Sequence, residues 1–209
     1  GEIPVRIRSK ELQFAATLPT KESLVLSPLQ KAGNAGKIQL STWTPRGPYQ
    51  VGGRTRALAV DLDDAIVILA GGVTGGMWRS TDAGTTWTKT TSPSQLQSVT
   101  CIVQDPRPGK HSTWYYGTGD YFSGTSSAPG APYQGDGIFK STNGGNSWTL
   151  LSSTSVKTPQ VWNSAFDYIF NIVVNPANLA NDEVYAAVAR GIKRSTDGGA
   201  TWGLSSDFV

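Results

Sequence analysis

The run Gly76–Trp87, GMWRSTDAGTTW, recurs twice more in this chain, and that repetition restricts the fold more than any other feature. Residues 137–148 read GIFKSTNGGNSW and residues 191–202 read GIKRSTDGGATW. Each copy opens on Gly, carries a basic residue just before Ser-Thr-Asp/Asn, and closes on Thr/Ser-Trp. Ser80 and Ser141 lie 61 residues apart, and Ser141 and Ser195 lie 54 apart. Self-similarity at this spacing marks an array in which each unit buries its apolar face against its neighbours.

The repeat has a local physical reading. Short runs such as Gly76–Ser80 and Trp87–Thr90 flank a turn rich in Asp, Gly and Thr, which predicts a β-hairpin. Asp82, Asn143 and Asp197 are expected to accept hydrogen bonds from backbone N–H groups two or three residues on. Gly84, Gly145 and Gly199 stand where the chain needs a positive φ. Ser80, Ser141 and Ser195 open the turns. The hydroxyl before each tryptophan supports them, and Trp87, Trp148 and Trp202 fold back as apolar plugs. Asp-Gly turns suggest calcium, but this spacing is too short for a helix–loop–helix cation loop. No metal and no cofactor is expected.

Around these hairpins the chain divides into three units of four strands. The first has strands at Thr55–Asp61, Ile66–Ala70, Gly76–Ser80 and Trp87–Thr90. The second has Val99–Gln104, Thr113–Thr118, Gly137–Ser141 and Trp148–Leu151. The third has Ile169–Val174, Glu183–Val188, Gly191–Ser195 and a last strand from Trp202. The first strand of each unit is almost wholly apolar, as a strand buried on both faces should be. Residues 1–40 read instead as an N-terminal arm and linker. Ser9–Leu18 has the pattern of a short helix, Thr20–Leu29 that of another turn or two, and Lys31–Lys37 that of a flexible connection.

Composition sets the class. Charged residues are 16% of the chain and there are 24 Gly, 12 Pro and 7 Trp, which suits an extracellular all-β protein. The formal charge of +3 comes without any Lys/Arg run, so nucleic-acid binding is not expected. No apolar run reaches the length of a membrane-spanning helix. Cys101 is the only cysteine, within a run that reads as a buried strand, where a lone thiol acts as a small hydrophobe. With His111 as the only histidine, it makes neither a zinc cluster nor a nucleophile–base pair. The chain opens at Gly1 without a signal peptide, so a processed or trimmed start is expected.

The pattern S-x-D-x-G-x-x-W resembles the Asp box, or BNR repeat, of sialidases, xyloglucanase-type glycosidases and sortilin-type receptors, all β-propellers. The resemblance covers residues about 50–209. It implies an all-β propeller of four-stranded blades, with a partial propeller over 41–209 and blades at about 54–91, 98–152 and 168–209. Propellers close with about four to eight blades. Three blades are therefore expected to belong to a six- to eight-bladed or larger propeller. The remaining blades would come from the same longer chain or from another chain. GPYQVGGRTRALAVD followed by ILAGGVTGGMWRSTD also resembles the N-terminal region of large secreted bacterial proteins that often carry a type IX sorting domain. That implies a secreted or cell-surface location and secretion machinery as a possible partner.

Strands of a blade alternate in direction, so the loops after the second and fourth strands share the end opposite the repeated turns. Two long loops fall there. Gly119–Gly135 carries Asp120, Tyr121, Phe122 and Tyr133, with Asp136 just beyond. Residues 152–168 carry Trp162, Phe166, Asp167 and Tyr168. Long loops with clustered aromatics are usually functional, and rings beside carboxylates suit sugars or peptide segments. The alternative is that these rings only pack the loops down. Arg54 and Arg56 alternate along one strand and so face one side. They either bind an anionic group or pair with an Asp of the neighbouring blade. Arg190, in the short third loop, is a rim candidate.

Two functions stand side by side. One is a binding module for glycan or protein ligands through these loops. The other is a glycoside hydrolase of sialidase or xyloglucanase kind whose catalytic acids lie partly outside this chain. Asp120, Asp136 or Asp167 are the candidates within it, since such enzymes place two carboxylates about the scissile bond. Family comparison disfavours catalysis within this chain. The xyloglucanase-type stretch T-D-x-G-G-A-Y-R matches Gly72–Arg79, GVTGGMWR, where Val73 replaces the catalytic Asp. The Arg-Ile-Pro motif of sialidases is not matched by Pro4-Val5-Arg6-Ile7-Arg8. A third possibility is a purely structural segment, or a secretion cargo held by its export machinery.

Overall fold

The computed structural model describes residues 54–204 apart from 93, 96–97, 122–131, 156–162 and 190. The N-terminal arm, Phe122, Trp162 and Arg190 lie outside the described residues. Twelve strands form three antiparallel four-stranded sheets, each in simple sequence order. The first sheet holds β1 (Thr55–Val60), β2 (Ile68–Gly72), β3 (Gly76–Ser80) and β4 (Thr88–Lys89). The second holds β5 (Val99–Gln104), β6 (Trp114–Thr118), β7 (Ile138–Ser141) and β8 (Thr149–Leu150). The third holds β9 (Ile169–Val174), β10 (Val184–Val188), β11 (Gly191–Ser195) and β12 (Gly203–Leu204). No α-helix occurs among the described residues, where the helical content is one short 3₁₀ turn at Ala165–Asp167. The first strands β1, β5 and β9 lie against one another in succession, so the sheets are consecutive blades of a partial β-propeller.

The blades meet through two apolar clusters, and β6 shows how a strand serves both. Its side chains alternate in direction. Trp114 and Tyr116 enter the first cluster with Ala57, Leu69, Met77 and Val99, while Tyr115 enters the second with Ile138, Ile169, Ile172 and Val184. Tyr116 stacks on Phe139 at 4.8 Å and meets Trp148 edge-on at 4.7 Å. Close approach is secured by glycine. A Cβ on Gly71 would overlap the Val99 side chain, and a Cβ on Gly117 would overlap Ile169. The first and second blades thus each offer a hole in the second strand to the first residue of the next blade's inner strand.

Burial of the inner strands departs from the sequence expectation. Only β5 is largely enclosed, with the pattern buried, buried, buried, half-buried, half-buried, buried. In β1, Leu58 is 67% and Val60 49% exposed, although Ile102 and Val174 at equivalent register pack onto the preceding blade. The apolar run is real; among the described residues no blade packs in front of β1. Edges shift for a second reason. Ile66 extends the apolar pattern of β2, yet the Asp61 and Asp64 side chains take the N–H groups of Asp63, Asp64 and Ile66, ending the ladder at Ile68.

The repeated turns are superposable in their bonding. Ser80, Ser141 and Ser195 each donate to the acid or amide two residues on, at 2.7–2.8 Å. The same hydroxyls accept from Gly84, Gly145 and Gly199 N–H at 2.8–3.0 Å. Asp82, Asn143 and Asp197 accept from the N–H four residues on at 2.8–3.0 Å, with a weaker contribution from the N–H three residues on at Asp82 and Asp197. That reach closes a wider ring than an ordinary Asx turn and places the tryptophan directly after it. The three glycines have φ of 87°, 77° and 95°. Hydrogen bonding from Thr86 and Thr201 holds the Asp82 and Asp197 carboxyls down at about 2.

The basic residue of the repeat also has a structural use. Arg79 Nε donates to Gly144 O at 3.0 Å, and Lys140 Nζ donates to Gly198 O at 3.2 Å. Each reaches the repeated turn of the following blade. In the third blade the equivalent Arg194 donates from Nε to Glu183 Oε1 of its own sheet at 2.6 Å.

Candidate functional site

The loop after β6 is fastened before it leaves the blade. Gly119 N donates to Ser98 O, and Ser98 Oγ donates to Gln134 O, both at 3.0 Å. Asp120 and Tyr133 exchange backbone hydrogen bonds of 2.7 and 2.9 Å, forming an isolated bridge. Gly135 N then donates to Asp167 O at 3.0 Å, tying the loop to the entry of the third blade. Gly119 has φ of 91°, and a Cβ there would collide with the Asp167 carbonyl, so the loop can turn here only on glycine.

This fastening carries Asp120 to the two arginines of the first blade. Asp120 is 2% exposed, and its Oδ2 accepts from Arg54 Nη2 while its Oδ1 accepts from Arg56 Nη1 at 3.3 Å. Both carboxylate oxygens are therefore occupied, and neither is presented to a ligand. The arginine side chains stay more than a third exposed, so their remaining N–H donors face solvent. Removing both arginines would strand a buried carboxylate, at a cost of about 3–5 kcal/mol.

Aromatic rings flank the pair. Tyr121 and Tyr133 are 54% and 46% exposed on either side of Asp120 in the loop path. Tyr168 is buried beneath Tyr121, meeting its ring edge-on at 5.1 Å. Burial, reinforced by the charge of Asp167, pushes the Tyr168 phenol up to about 12, so it stays neutral and supports its neighbour.

The other sequence candidates are placed differently. Asp167 is buried, and its Oδ2 accepts from Ser164 N at 2.8 Å, capping the 3₁₀ turn; its Oδ1 has no partner among the described residues. Asp136 is half-buried, its Oδ1 accepting from Ser155 Oγ at 3.1 Å. Phe166, one of the candidate binding rings of residues 152–168, packs against Trp202 at 5.6 Å beside the cluster between the second and third blades. The turn that Asp167 caps directs it inward.

Sequence reading missed Trp78 and the surface around it. Trp78 and Trp87 border a cavity of about 330 Å³ in the first blade, lined also by Thr55, Val73 and Gly75. The repeat held the signal, since it aligns Trp78 with Phe139, a residue of the blade interface. Phe170 was also missed. A register shift after the first residue of β1 and of β5 skips Arg56 and Thr100, and Phe170 is skipped likewise in β9, half-exposed near the same end. No group of three His, Cys, Asp or Glu side chains suited to a metal ion occurs among the described residues. Nor, among them, is any helix long and apolar enough to cross a membrane.

No family model matches the sequence, and no curated protein matches it. Solved structures do. An ancestral GH74 enzyme matches with a TM-score of 0.54 and 25% identity, over 72% of this chain and 18% of that one. The GH74 enzyme of Niastella koreensis matches with 26% identity over 72% and 22% of the two chains, at a TM-score of 0.47. YCF48 bound to a D1 peptide matches with 16% identity over 72% and 40%, at 0.44. The first supports the propeller fold, and scores below 0.5 add nothing to it. This chain spans less than a quarter of either GH74 enzyme.

Proposed function

We propose that this chain is part of a secreted or surface-displayed Asp-box propeller whose loop end binds a carbohydrate. The observation that carries the reading is the pair of half-exposed rings, Tyr121 and Tyr133, anchored on either side of the Asp120 bridge. Their apolar faces suit the C–H faces of sugar rings, and the spare guanidinium donors of Arg54 and Arg56 suit the hydroxyl edges. A protein segment presenting the same chemistry would use the same rings. Further blades, from a longer chain or another chain, would complete the propeller, and export by the type IX route would fit the resemblance at residues 47–82.

A glycoside hydrolase is the second reading, favoured by the likeness to the ancestral GH74 enzyme. On that reading the acids lie in blades beyond this chain, because Asp120 is taken up by two guanidiniums and Val73 is buried. Affinity electrophoresis in xyloglucan-containing gels, with reducing-sugar release measured in parallel, tests both. Binding without turnover, weakened about tenfold in Tyr121→Ala and Tyr133→Ala, is the expected result. Turnover by this chain, lost in Asp120→Asn, would overturn the binding-module reading. Unchanged retardation in both tyrosine variants would remove the loop from the site.

A further inference from the structure

Arg79 stands apart from its counterpart in the second blade. Both donate to the following blade's turn, but Lys140 has one nitrogen, which meets Gly198 O and lies over the Tyr115 ring. Arg79 uses Nε for Gly144 O and keeps both terminal nitrogens without a hydrogen bond among the described residues. Arg79 borders a cleft of about 190 Å³ between the first and second blades, at the end that carries the repeated turns. Lys89, Thr81 and Thr88 line the same cleft, and none of them makes a side-chain hydrogen bond among the described residues. Thr86, Thr90 and Asn146 complete the wall.

The nearby carboxylate is already committed. Asp82 Oδ1 accepts from Ser80 Oγ and Thr86 N, and its Oδ2 accepts from Thr86 Oγ1 at 2.6 Å. The cleft therefore holds two cationic groups and two free hydroxyls, with the adjacent anion turned inward onto its own turn. We propose that this inter-blade cleft is a binding site for a tetrahedral oxyanion, the sulfate or phosphate ester group of a sugar. A planar guanidinium can offer two parallel N–H groups to two oxygens of such a group, the ammonium a third contact, and the threonines hydroxyls to the rest. The site lies at the opposite end from the tyrosine pair and does not depend on it.

Inorganic sulfate and phosphate, titrated at constant ionic strength made up with chloride, test this by NMR of the Arg79 Nε–H and the Thr88 and Lys89 amides. Saturable shifts confined to the cleft are expected, weakened about tenfold by Lys89→Gln. Arg79→Lys should weaken binding at least as much with an unchanged melting temperature, because Lys140 shows that lysine can make the structural bond. Glucose 6-sulfate and glucose 6-phosphate then separate the two ester classes, and preference for either supports the site. Shifts that grow linearly with salt, spread over the surface, or persist in Lys89→Gln would overturn it.

Discussion

Trp87 and Trp148 close the same turn in successive blades and meet opposite surroundings. Trp148 is buried, packs edge-on to Tyr116 and donates from Nε1 to Thr90 Oγ1 of the first blade at 2.9 Å. Trp87 is 38% exposed and donates to Gly84 O of its own turn at 3.0 Å. The glycines differ likewise. A Cβ on Gly145 would overlap Leu69 of the preceding blade, whereas one on Gly84 would meet nothing closer than 3.6 Å. The repeated turn therefore performs two tasks. It closes a hairpin by its own hydrogen bonds in all three described blades, and in the second and third it also docks onto the preceding blade.

Removing the tryptophans separates these tasks most sharply. Trp148→Ala should cost about 3–5 kcal/mol by emptying an interior site, and Trp87→Ala only about 1 kcal/mol. Urea denaturation of the two variants measures the difference, and equal losses would break the comparison. Glycine substitutions come next. Gly84→Ala and Gly145→Ala both impose the left-handed conformation, at about 1–2 kcal/mol. Gly145→Ala adds an overlap with Leu69 costing about 1–3 kcal/mol more. If thermal melts show no gap between them, the turn is demanding φ alone.

Acid gives the finest contrast. Asp82 and Asp197 are held at about 2 by their turn hydrogen bonds, so their folded values lie below those of the unfolded chain. The stabilisation is complete above about pH 4 and is lost as pH falls through 2. Asn143 accepts from Ser141 Oγ and Ser147 N in the same way without titrating, and its amide donates to Ser147 Oγ. Amide exchange should therefore accelerate at Thr86 and Thr201 between pH 4 and 2 while Ser147 keeps its protection. Parallel behaviour at all three would place the acid response elsewhere.

Legibility in the sequence followed the range of the interactions. The third strands were placed closely because the repeat begins in them, and its Ser-x-Asp bonding is local. The fourth strands shrank to pairs such as Thr88–Lys89, since the tryptophan before them belongs to the turn. The ion pairing of Arg54 and Arg56 with Asp120 is the neighbouring-blade alternative that strand alternation offered. The partner lies more than 60 residues away, so the sequence did not say which Asp it is. The sequence grouped Phe166 with the binding rings of its loop because nothing in a linear loop reveals which ring will pack against Trp202.

The Gly117 hole has a chemical consequence. The sulfur of Cys101 lines it beside Ile169, and burial pushes the thiol up to about 11. A thiol that is both covered and protonated is inert to alkylating reagents. Its modification therefore waits on the parting of the second and third blades, and its labelling rate is a clock for how often they separate. The chain's single sulfhydryl is thus a built-in timer for the breathing of one seam, with no second cysteine to blur the reading.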